Sequence, residues 1–142
     1  MSNKHIVIVE DDTMLADLTQ AYLQQHGYKV SVYNSAVVFL TQAPKLTIDI
    51  IICDINMPEM NGFTLCEKAR EEYNGPFIFL TARKDDEDQI KGLRLGADDY
   101  IHKLVKPPVL LARVESILRT HERFKERNPV KCINLTGLLI NK

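Results

Sequence analysis

Two short apolar runs of this chain are each followed directly by acidic side chains. Residues 6–9 (Ile-Val-Ile-Val) precede Glu10 and Asp11, and residues 50–53 (Ile-Ile-Ile-Cys) precede Asp54. Such β-branched runs, closed by polar residues, are typical of buried strands in a parallel sheet, where ligands bind beyond the carboxyl ends. Clustered carboxylates repel one another unless a cation binds, and Mg²⁺ accepts carboxylates together with water and phosphate oxygens. The pattern therefore predicts a divalent cation site beside a reactive aspartate.

Two further polar side chains end predicted strands. Thr81 closes the apolar run 77–80, and Lys103 follows the short segment 99–102. A doubly wound sheet would bring both residues to the same edge as Asp54. An ionised carboxylate can act as a nucleophile, a lysine neutralises phosphoryl oxygens, and a threonine hydroxyl can donate to one of them. The four strand ends together favour phosphoryl transfer onto Asp54.

The elements that would position these residues alternate between strand and helix, which predicts βαβ units and a parallel sheet. Leu15, Leu18 and Tyr22 recur at i, i+3 and i+7 and predict the apolar face of the first helix, with Asp12 as its N-cap. The fourth helix has few large apolar residues, which predicts a weakly anchored, exposed helix. Predicted strands lie near 6–9, 29–33, 50–53, 77–80 and 99–101, and later helices near 36–42, 62–72, 86–95 and from Pro107 onward.

The composition fits one compact domain with a short appendage. The chain has 142 residues, of which 45% are hydrophobic and 26% charged, and its net charge of −1 argues neither for nor against nucleic acid. No apolar stretch is long enough to span a membrane, and the N-terminal residues lack a signal-peptide core. We therefore expect no membrane association and a cytoplasmic location.

The cysteines and histidines show no metal-ligand spacing. The three cysteines are widely separated, so reduced thiols are expected, and strand alternation predicts that Cys53 packs in the core. The histidines are scattered and are expected at the surface. The acidic run 85–88 is interpreted as the solvated start of a helix rather than a metal site.

These motifs, taken together and in order, resemble a response-regulator receiver domain over roughly Lys4 to Thr120. The resemblance is carried by the acidic pair at 10–11, the segment 54–62, Thr81-Ala82 and the segment 96–103 (Gly-Ala-Asp-Asp-Tyr-Ile-His-Lys). It implies an α/β, flavodoxin-like (CheY-like) fold: a doubly wound, five-stranded parallel sheet in the order 2-1-3-4-5 with five helices.

The same resemblance implies a role for each residue of the acidic cluster. Asp54 would accept a phosphoryl group from a sensor histidine kinase in an Mg²⁺-dependent reaction. Asp11 and Asp54 would ligate Mg²⁺ directly, the main-chain carbonyl of Asn56 would be a further ligand, and Glu10 would act through water.

The resemblance also implies the residues that read out the phosphoryl group. Lys103 would pair with it, while Thr81 and Tyr100 would be switch residues, although Tyr100 could also simply pack on the sheet edge. The family usually has Lys-Pro with a cis bond at this strand end, whereas Leu104 follows here, and a non-proline cis bond costs about 2.5–4 kcal/mol. A trans bond is therefore expected, with Lys103 less firmly aimed. The Lys-Pro pair at 106–107 is a rival register, but helix phasing favours Lys103.

The segment 96–100 and the C-terminal tail resemble the OmpR/PhoB class, whose second domain is a DNA-binding winged helix. This predicts a receiver domain at 1–121, a linker at 122–131, and the first strand of a truncated winged-helix domain at 132–142. The finer resemblance to RstA-type regulators is carried by Leu65-Cys66, Asn74-Gly75-Pro76 and residues 107–113.

The resemblance to this class further implies a homodimer through the fourth helix, fifth strand and fifth helix when the domain is phosphorylated. The usual acidic partner on the last helix is missing, because Val109 stands opposite Lys91. Asp99 and Arg113 remain as a candidate pair across the dimer.

Two other functions compete with this non-enzymatic phosphoacceptor, which would dephosphorylate itself slowly. A phosphatase of the haloacid-dehalogenase type needs an acid two residues after the nucleophile, and Asn56 stands there. A stand-alone, single-domain signalling protein is the other alternative, and the sequence after Pro129 argues against it.

Overall fold

The computed structural model describes residues 4–42 and 47–127, which form a five-stranded sheet and five helices. The strands are β1 (His5–Val9), β2 (Lys29–Tyr33), β3 (Ile50–Cys53), β4 (Phe77–Thr81) and β5 (Asp99–His102), and the helices are α1 (Thr13–Gln25), α2 (Ala36–Gln42), α3 (Gly62–Ala69), α4 (Asp86–Arg94) and α5 (Pro107–Arg127). All pairings are parallel, in the order β2-β1-β3-β4-β5. The predicted doubly wound fold is confirmed.

Helices cover both faces of the sheet, which is why the residues of β1, β3 and β4 are buried throughout. Alternate strand residues point to opposite faces. Val7 and Cys53 pack against α2 and α3, and Cys53 is fully buried as predicted. Ile8 packs on the other face, against α1 and α5. The two apolar layers fix the sheet and present the carboxyl ends of β1, β3 and β4 along one edge.

Helix α1 begins where the sequence predicts, and its predicted apolar face is correct only in part. The carboxylate of Asp12 caps it by accepting from the amide of Leu15 at 3.1 Å. Leu15 is half-buried and Tyr22 packs against the core, beside the fully buried Ala16 and Leu23. Leu18 is 64% exposed, so its predicted place on the buried face is wrong.

Two other sequence-based expectations differ from the structure. His5 is buried, because its Nδ1 donates to the carbonyl of Thr47 at 2.6 Å and its Nε2 bonds Ser31 Oγ at 2.8 Å, so the expected surface position is wrong. Helix α5 continues to Arg127, so residues 122–127 of the predicted linker are helical.

A surface ion pair accompanies the extension of α5. Lys4 pairs with Glu122 at 2.9 Å and so ties the added turns of the helix to the start of β1. The predicted winged-helix strand at 132–142 and Cys132 lie outside the described residues. Within the described ranges, no helix is long and apolar enough to cross a membrane.

Candidate functional site

Asp54 lies at the end of β3, and its backbone is fixed by hydrogen bonds on either side. Its amide donates to the carbonyl of Val9 at 3.0 Å, and its Oδ1 accepts from the amide of Ile55 at 2.7 Å. The side chain is 4% exposed. Such a carboxylate has a fixed direction and only a narrow opening to solvent, which suits a nucleophile aimed at one incoming group.

Gly62 allows the loop after β3 to close tightly over this strand end. Its amide donates to the carbonyl of Ile55 at 2.8 Å. A Cβ at this position would collide with the main-chain oxygen of Asp54 and approach Ile55 Cα to 2.9 Å. Only glycine fits so close to another backbone, so the start of α3 and the reactive aspartate are packed as one unit.

Three carboxylates converge at this edge of the sheet. Ligand oxygens of Glu10, Asp11 and Asp54 all lie within 4.8 Å of one another. Glu10 is buried and accepts from the amide of Asp12 at 3.1 Å, whereas Asp11 is exposed to solvent. The structure therefore brings together the two strand ends that the sequence selects.

Lys103 completes the cluster from the end of β5. Its Nζ lies 2.9 Å from Asp54 Oδ2 and 3.1 Å from Glu10 Oε1. Every peptide bond within the described ranges is trans, including the bond to Leu104. The amide of Lys103 donates to the carbonyl of Thr81 at 2.9 Å, which fixes the strand end without a proline. The expected trans bond is confirmed, and the aim of Lys103 toward a phosphoryl group stays a prediction.

Burial and charge shift two protonation equilibria in the cluster. Burial, together with the charge of Asp54, raises the pKa of Glu10 to about 7, although Asp12 and Lys103 oppose the shift. Burial alone would lower the pKa of Lys103, but hydrogen bonds and charge from Asp54 and Glu10 raise it above its ordinary value. The lysine therefore stays charged. Its single positive charge neutralises only part of the negative charge of the three carboxylates.

The two predicted switch residues both contact the segment after β4. Thr81 is fully buried, and its Oγ1 accepts from the amide of Arg83 at 3.3 Å. Tyr100 packs against Phe79, with ring centroids 6.2 Å apart, and its hydroxyl donates to the carbonyl of Arg83 at 3.1 Å. Tyr100 therefore combines sheet-edge packing with a polar contact near the site.

Sequence reasoning missed Arg83. Its Nε and Nη2 both donate to Asn56 Oδ1, at 2.9 and 2.7 Å, and Nη1 lies 3.3 Å from Asp88 Oδ1. Asn56 is the residue whose main-chain carbonyl is predicted as a metal ligand, and its exposed side chain is held by Arg83. Its position two residues after Thr81 places it near the same strand end, but no spacing in the sequence signals its contacts with Asn56 and Asp88.

The predicted dimer-face residues have partners within the chain. Arg113 Nη1 lies 3.0 Å from Asp99 Oδ2. Lys91 Nζ lies 4.6 Å from the centre of the Phe63 ring, a cation–π contact between α4 and α3. Neither contact tests whether these residues also pair across a dimer.

The donor set fits Mg²⁺. Hard carboxylate oxygens from Asp11 and Asp54, one exposed and one buried, leave room for the waters that Mg²⁺ retains. Three carboxylates face the single ammonium of Lys103, so a bound cation would neutralise the remaining negative charge. These observations together describe an acidic cluster with one lysine at the carboxyl ends of the strands of a doubly wound sheet.

The sequence comparisons agree with this description. The family described as the response regulator receiver domain matches residues 6–115, and the chain belongs to this family. It is a receiver domain of two-component response regulators, as the sequence motifs predict. The chain is 41% identical over 144 aligned residues to the regulatory protein VanR of Enterococcus faecium, covering 99% of this chain and 62% of VanR. It is 36% identical over 131 residues to the transcriptional regulatory protein CreB of Escherichia coli K12, covering 92% of this chain and 57% of CreB.

Solved structures of receiver domains also resemble this chain. The beryllofluoride-activated receiver domain of Klebsiella pneumoniae RstA superposes with a TM-score of 0.79 at 37% identity, covering 82% of this chain and 99% of that domain. A CheY-like receiver domain of Methanospirillum hungatei superposes with a TM-score of 0.81 at 32% identity, covering 86% and 98%. The predicted OmpR/PhoB class and the RstA resemblance are confirmed. The chain spans about three fifths of VanR and CreB, at 62% and 57% of their lengths.

Proposed function

We propose that Asp54 accepts a phosphoryl group from a histidine of a sensor kinase and that the transfer requires Mg²⁺. The observation that carries this proposal is the convergence at one edge of the sheet. Lys103 Nζ lies 2.9 Å from the Asp54 carboxylate, and oxygens of Glu10 and Asp11 lie within 4.8 Å of it. The haloacid-dehalogenase alternative loses support, because the family match covers the whole sheet and Asn56 is an amide.

The chemistry follows from the positions of these side chains. An oxygen of Asp54 forms a bond to phosphorus while the bond from phosphorus to the kinase imidazole nitrogen breaks, and the departing nitrogen keeps the electron pair. Lys103 neutralises phosphoryl oxygens, and the hydroxyl of Thr81 is a candidate donor to one of them. The domain acts as a phosphoacceptor that hydrolyses its own acyl phosphate slowly, rather than as an enzyme with a separate substrate.

Magnesium would be held by Asp11, Asp54 and the main-chain carbonyl of Asn56, with Glu10 acting through water. When bound, the ion supplies charge neutralisation for the approaching phosphoryl oxygens. Lys103 contacts Glu10 across the pocket at 3.1 Å and neutralises part of its negative charge, and Mg²⁺ would neutralise more.

Exposed apolar side chains near the site suit a protein phosphodonor. Met14 is 72% exposed, Leu18 64% and Leu104 82%. Leu18 and Lys103 line the same groove of about 160 Å³ between α1 and the start of α5. Large apolar residues clustered around a reactive group favour contact with another protein surface, and we propose that the kinase docks here.

The output of phosphorylation is proposed to be dimerisation and DNA binding in the cytoplasm. Movement of Thr81 and Tyr100 would alter the surface formed by α4, β5 and α5, through which two copies would associate. Candidate contact residues on that surface are Lys91, Asp99 and Arg113. DNA binding would belong to a C-terminal winged-helix domain. VanR and CreB are regulators longer than this chain, which supports that organisation over a stand-alone domain.

The central test is intact mass after treatment with acetyl phosphate and Mg²⁺. We expect the wild-type domain to gain one phosphoryl group and Asp54→Asn to gain none. Asp17→Asn, an exposed acid on α1, is the matched control and should gain one group. Removal of Mg²⁺ with a chelator should abolish the gain. Equal uptake by wild type and Asp54→Asn would refute the assignment.

Dimerisation needs a separate measurement. Gel filtration with beryllofluoride and Mg²⁺ across micromolar concentrations should shift the domain toward a dimer. An unshifted monomer that nevertheless binds beryllofluoride would remove the dimerisation proposal and leave the phosphoacceptor proposal standing.

A further inference from the structure

Arg83 connects the rim of the Asp54 site to helix α4. Phosphoryl transfer itself does not require this connection. Its guanidinium holds Asn56 Oδ1, beside the Asp54 site, through two donors at 2.9 and 2.7 Å. A third donor reaches Asp88 Oδ1 on the first turn of α4 at 3.3 Å. One planar side chain therefore spans the gap between the rim of the site and α4.

The backbone of the same residue holds both switch hydroxyls. The amide of Arg83 donates to Thr81 Oγ1 at 3.3 Å, and its carbonyl accepts from the hydroxyl of Tyr100 at 3.1 Å. Any displacement of the Thr81 hydroxyl toward a phosphoryl group would therefore lengthen this hydrogen bond or move the backbone of Arg83 with it. The same displacement changes the position of the acceptor that Tyr100 uses.

Helix α4 is weakly packed, so little buried surface opposes its displacement. Of its nine residues, all within the described ranges, only Gly92 is buried. An ion pair near the surface usually contributes little to stability. The contribution matters here because so few apolar contacts hold the first turn of α4 in place.

The geometry of the guanidinium sets it apart from a simple positive charge. Two of its donors share one acceptor oxygen, and its central carbon lies 5.8 Å from the centre of the Phe63 ring on α3. A lysine ammonium carries the same charge but lacks the planar fork that reaches Asn56 and Asp88 together.

We propose that Arg83 is a positioning residue that transmits occupancy of the Asp54 site to α4, with Asn56 at one end of the link and Asp88 at the other. The proposal rests on the proposed function, since it assumes that Asp54 is the occupied group. It assigns no chemical step to Arg83.

Glycine amide signals in ¹⁵N NMR spectra provide a test with two reporters. Gly62 packs against Asp54 and reports the site, whereas Gly92 lies inside α4 and contacts Phe79 and Tyr100. In the wild type, beryllofluoride with Mg²⁺ should shift both signals. In Arg83→Gln, the Gly62 shift should persist, while the Gly92 shift should fall below about half of its wild-type size, as expected when a coupling contact is removed.

Three further variants sharpen the test. Arg83→Lys should behave like Arg83→Gln, and full recovery of the Gly92 shift would show that charge alone suffices and overturn the positioning role. Asp88→Asn breaks only the α4 end and should also reduce the Gly92 shift. Arg119→Gln, an exposed arginine on α5, should match the wild type.

The two possible failures are distinguishable. If the wild type shows no Gly62 shift, the assignment of Asp54 fails. If the wild type responds at both reporters, and Arg83→Gln and Asp88→Asn respond equally at both, the link through Arg83 is refuted while Asp54 stands.

Discussion

Helices α3 and α4 are similar in length and flank the same site, yet they are anchored very differently. Five of the eight residues of α3 are buried, against one of the nine in α4. The side chain of Asn61 caps α3 by accepting from the amide of Thr64 at 3.0 Å, whereas the side chain of Asp85, at the start of α4, makes no capping bond to the described chain. The site is therefore built on the firmly packed helix.

The contrast has a functional meaning. A phosphoacceptor must be held in one geometry, and a readout element must have two arrangements of similar free energy. Ile90 and Leu93 of α4 are 49% and 43% exposed, so moving that helix gives up little buried apolar surface. The firm packing of α3 and the weak packing of α4 therefore fit the proposed division between a rigid site and a helix that moves in response.

The largest difference should appear when a leucine is truncated in each helix. Leu65 of α3 is fully buried, so Leu65→Ala should lower the free energy of unfolding by about 2–5 kcal/mol. Leu93→Ala in α4 should cost less than about 1 kcal/mol, because its side chain is already partly in water. Urea titrations followed by circular dichroism measure both free energies. Equal losses would contradict the conclusion that α3 is packed more firmly than α4.

The next effect concerns Gly62, where α3 meets the backbone of the reactive strand. Gly62→Ala should lower the free energy of unfolding by about 1–3 kcal/mol, because neither backbone segment can move aside. It should also slow phosphate uptake from acetyl phosphate, since Asp54 would be displaced. Urea titration and time-resolved intact mass measure the two effects. Normal uptake with unchanged stability would show that the loop tolerates the extra methyl group.

The sequence predicts the fold and the charged cluster because both depend on strong local patterns. Apolar runs fix the strands, and the carboxyl ends of parallel strands must meet, so local pattern alone is enough to group Asp54 with Glu10 and Lys103. The exposure of Leu18 on α1 could not be predicted in this way. Leu18 matches the helical period as well as the buried residues do, and only packing on the sheet decides between them.

Arg83 and His5 show a second limit of sequence reasoning. Arg83 acts through contacts to Asn56 and Asp88, which lie on two other segments, and no spacing along the chain encodes that meeting. His5 is buried because Thr47 and Ser31 supply hydrogen bonds to its two ring nitrogens. Satisfied polar burial of this kind depends on tertiary partners rather than on residue type.

The pH dependence of the free energy of unfolding should show the ionisation of Glu10 in the acidic cluster. The pKa of Glu10 is raised to about 7 from an ordinary value of 4.5, so the folded domain holds a proton that the unfolded chain has released. Without Mg²⁺, stability should therefore fall as the pH rises from about 4.5 through 7. The full shift would correspond to about 3 kcal/mol, and screening by the solvent that reaches Asp11 and Lys103 reduces the expected loss to about 1–2 kcal/mol. Thermal melts in a chelator give the slope for the wild type and for Glu10→Gln.

The control for this prediction is the metal itself. Mg²⁺ binding to the folded state should offset the loss above pH 7, because it stabilises the ionised cluster. Glu10→Gln should show a flatter profile in the chelator, and an identical slope in wild type and variant would assign the pH dependence to other groups.

The smallest effect should come from Gly92, a glycine in the interior of α4. A Cβ there would lie 3.0 Å from the Phe79 ring and 3.1 Å from the Tyr100 ring, both of which are side chains that can shift. Alanine also favours a helix interior over glycine by about 1 kcal/mol, which opposes the crowding. We therefore expect Gly92→Ala to change the free energy of unfolding by less than about 1 kcal/mol while altering the NMR signals of Tyr100. A loss as large as that of Gly62→Ala would mean that α4 is packed as firmly as α3.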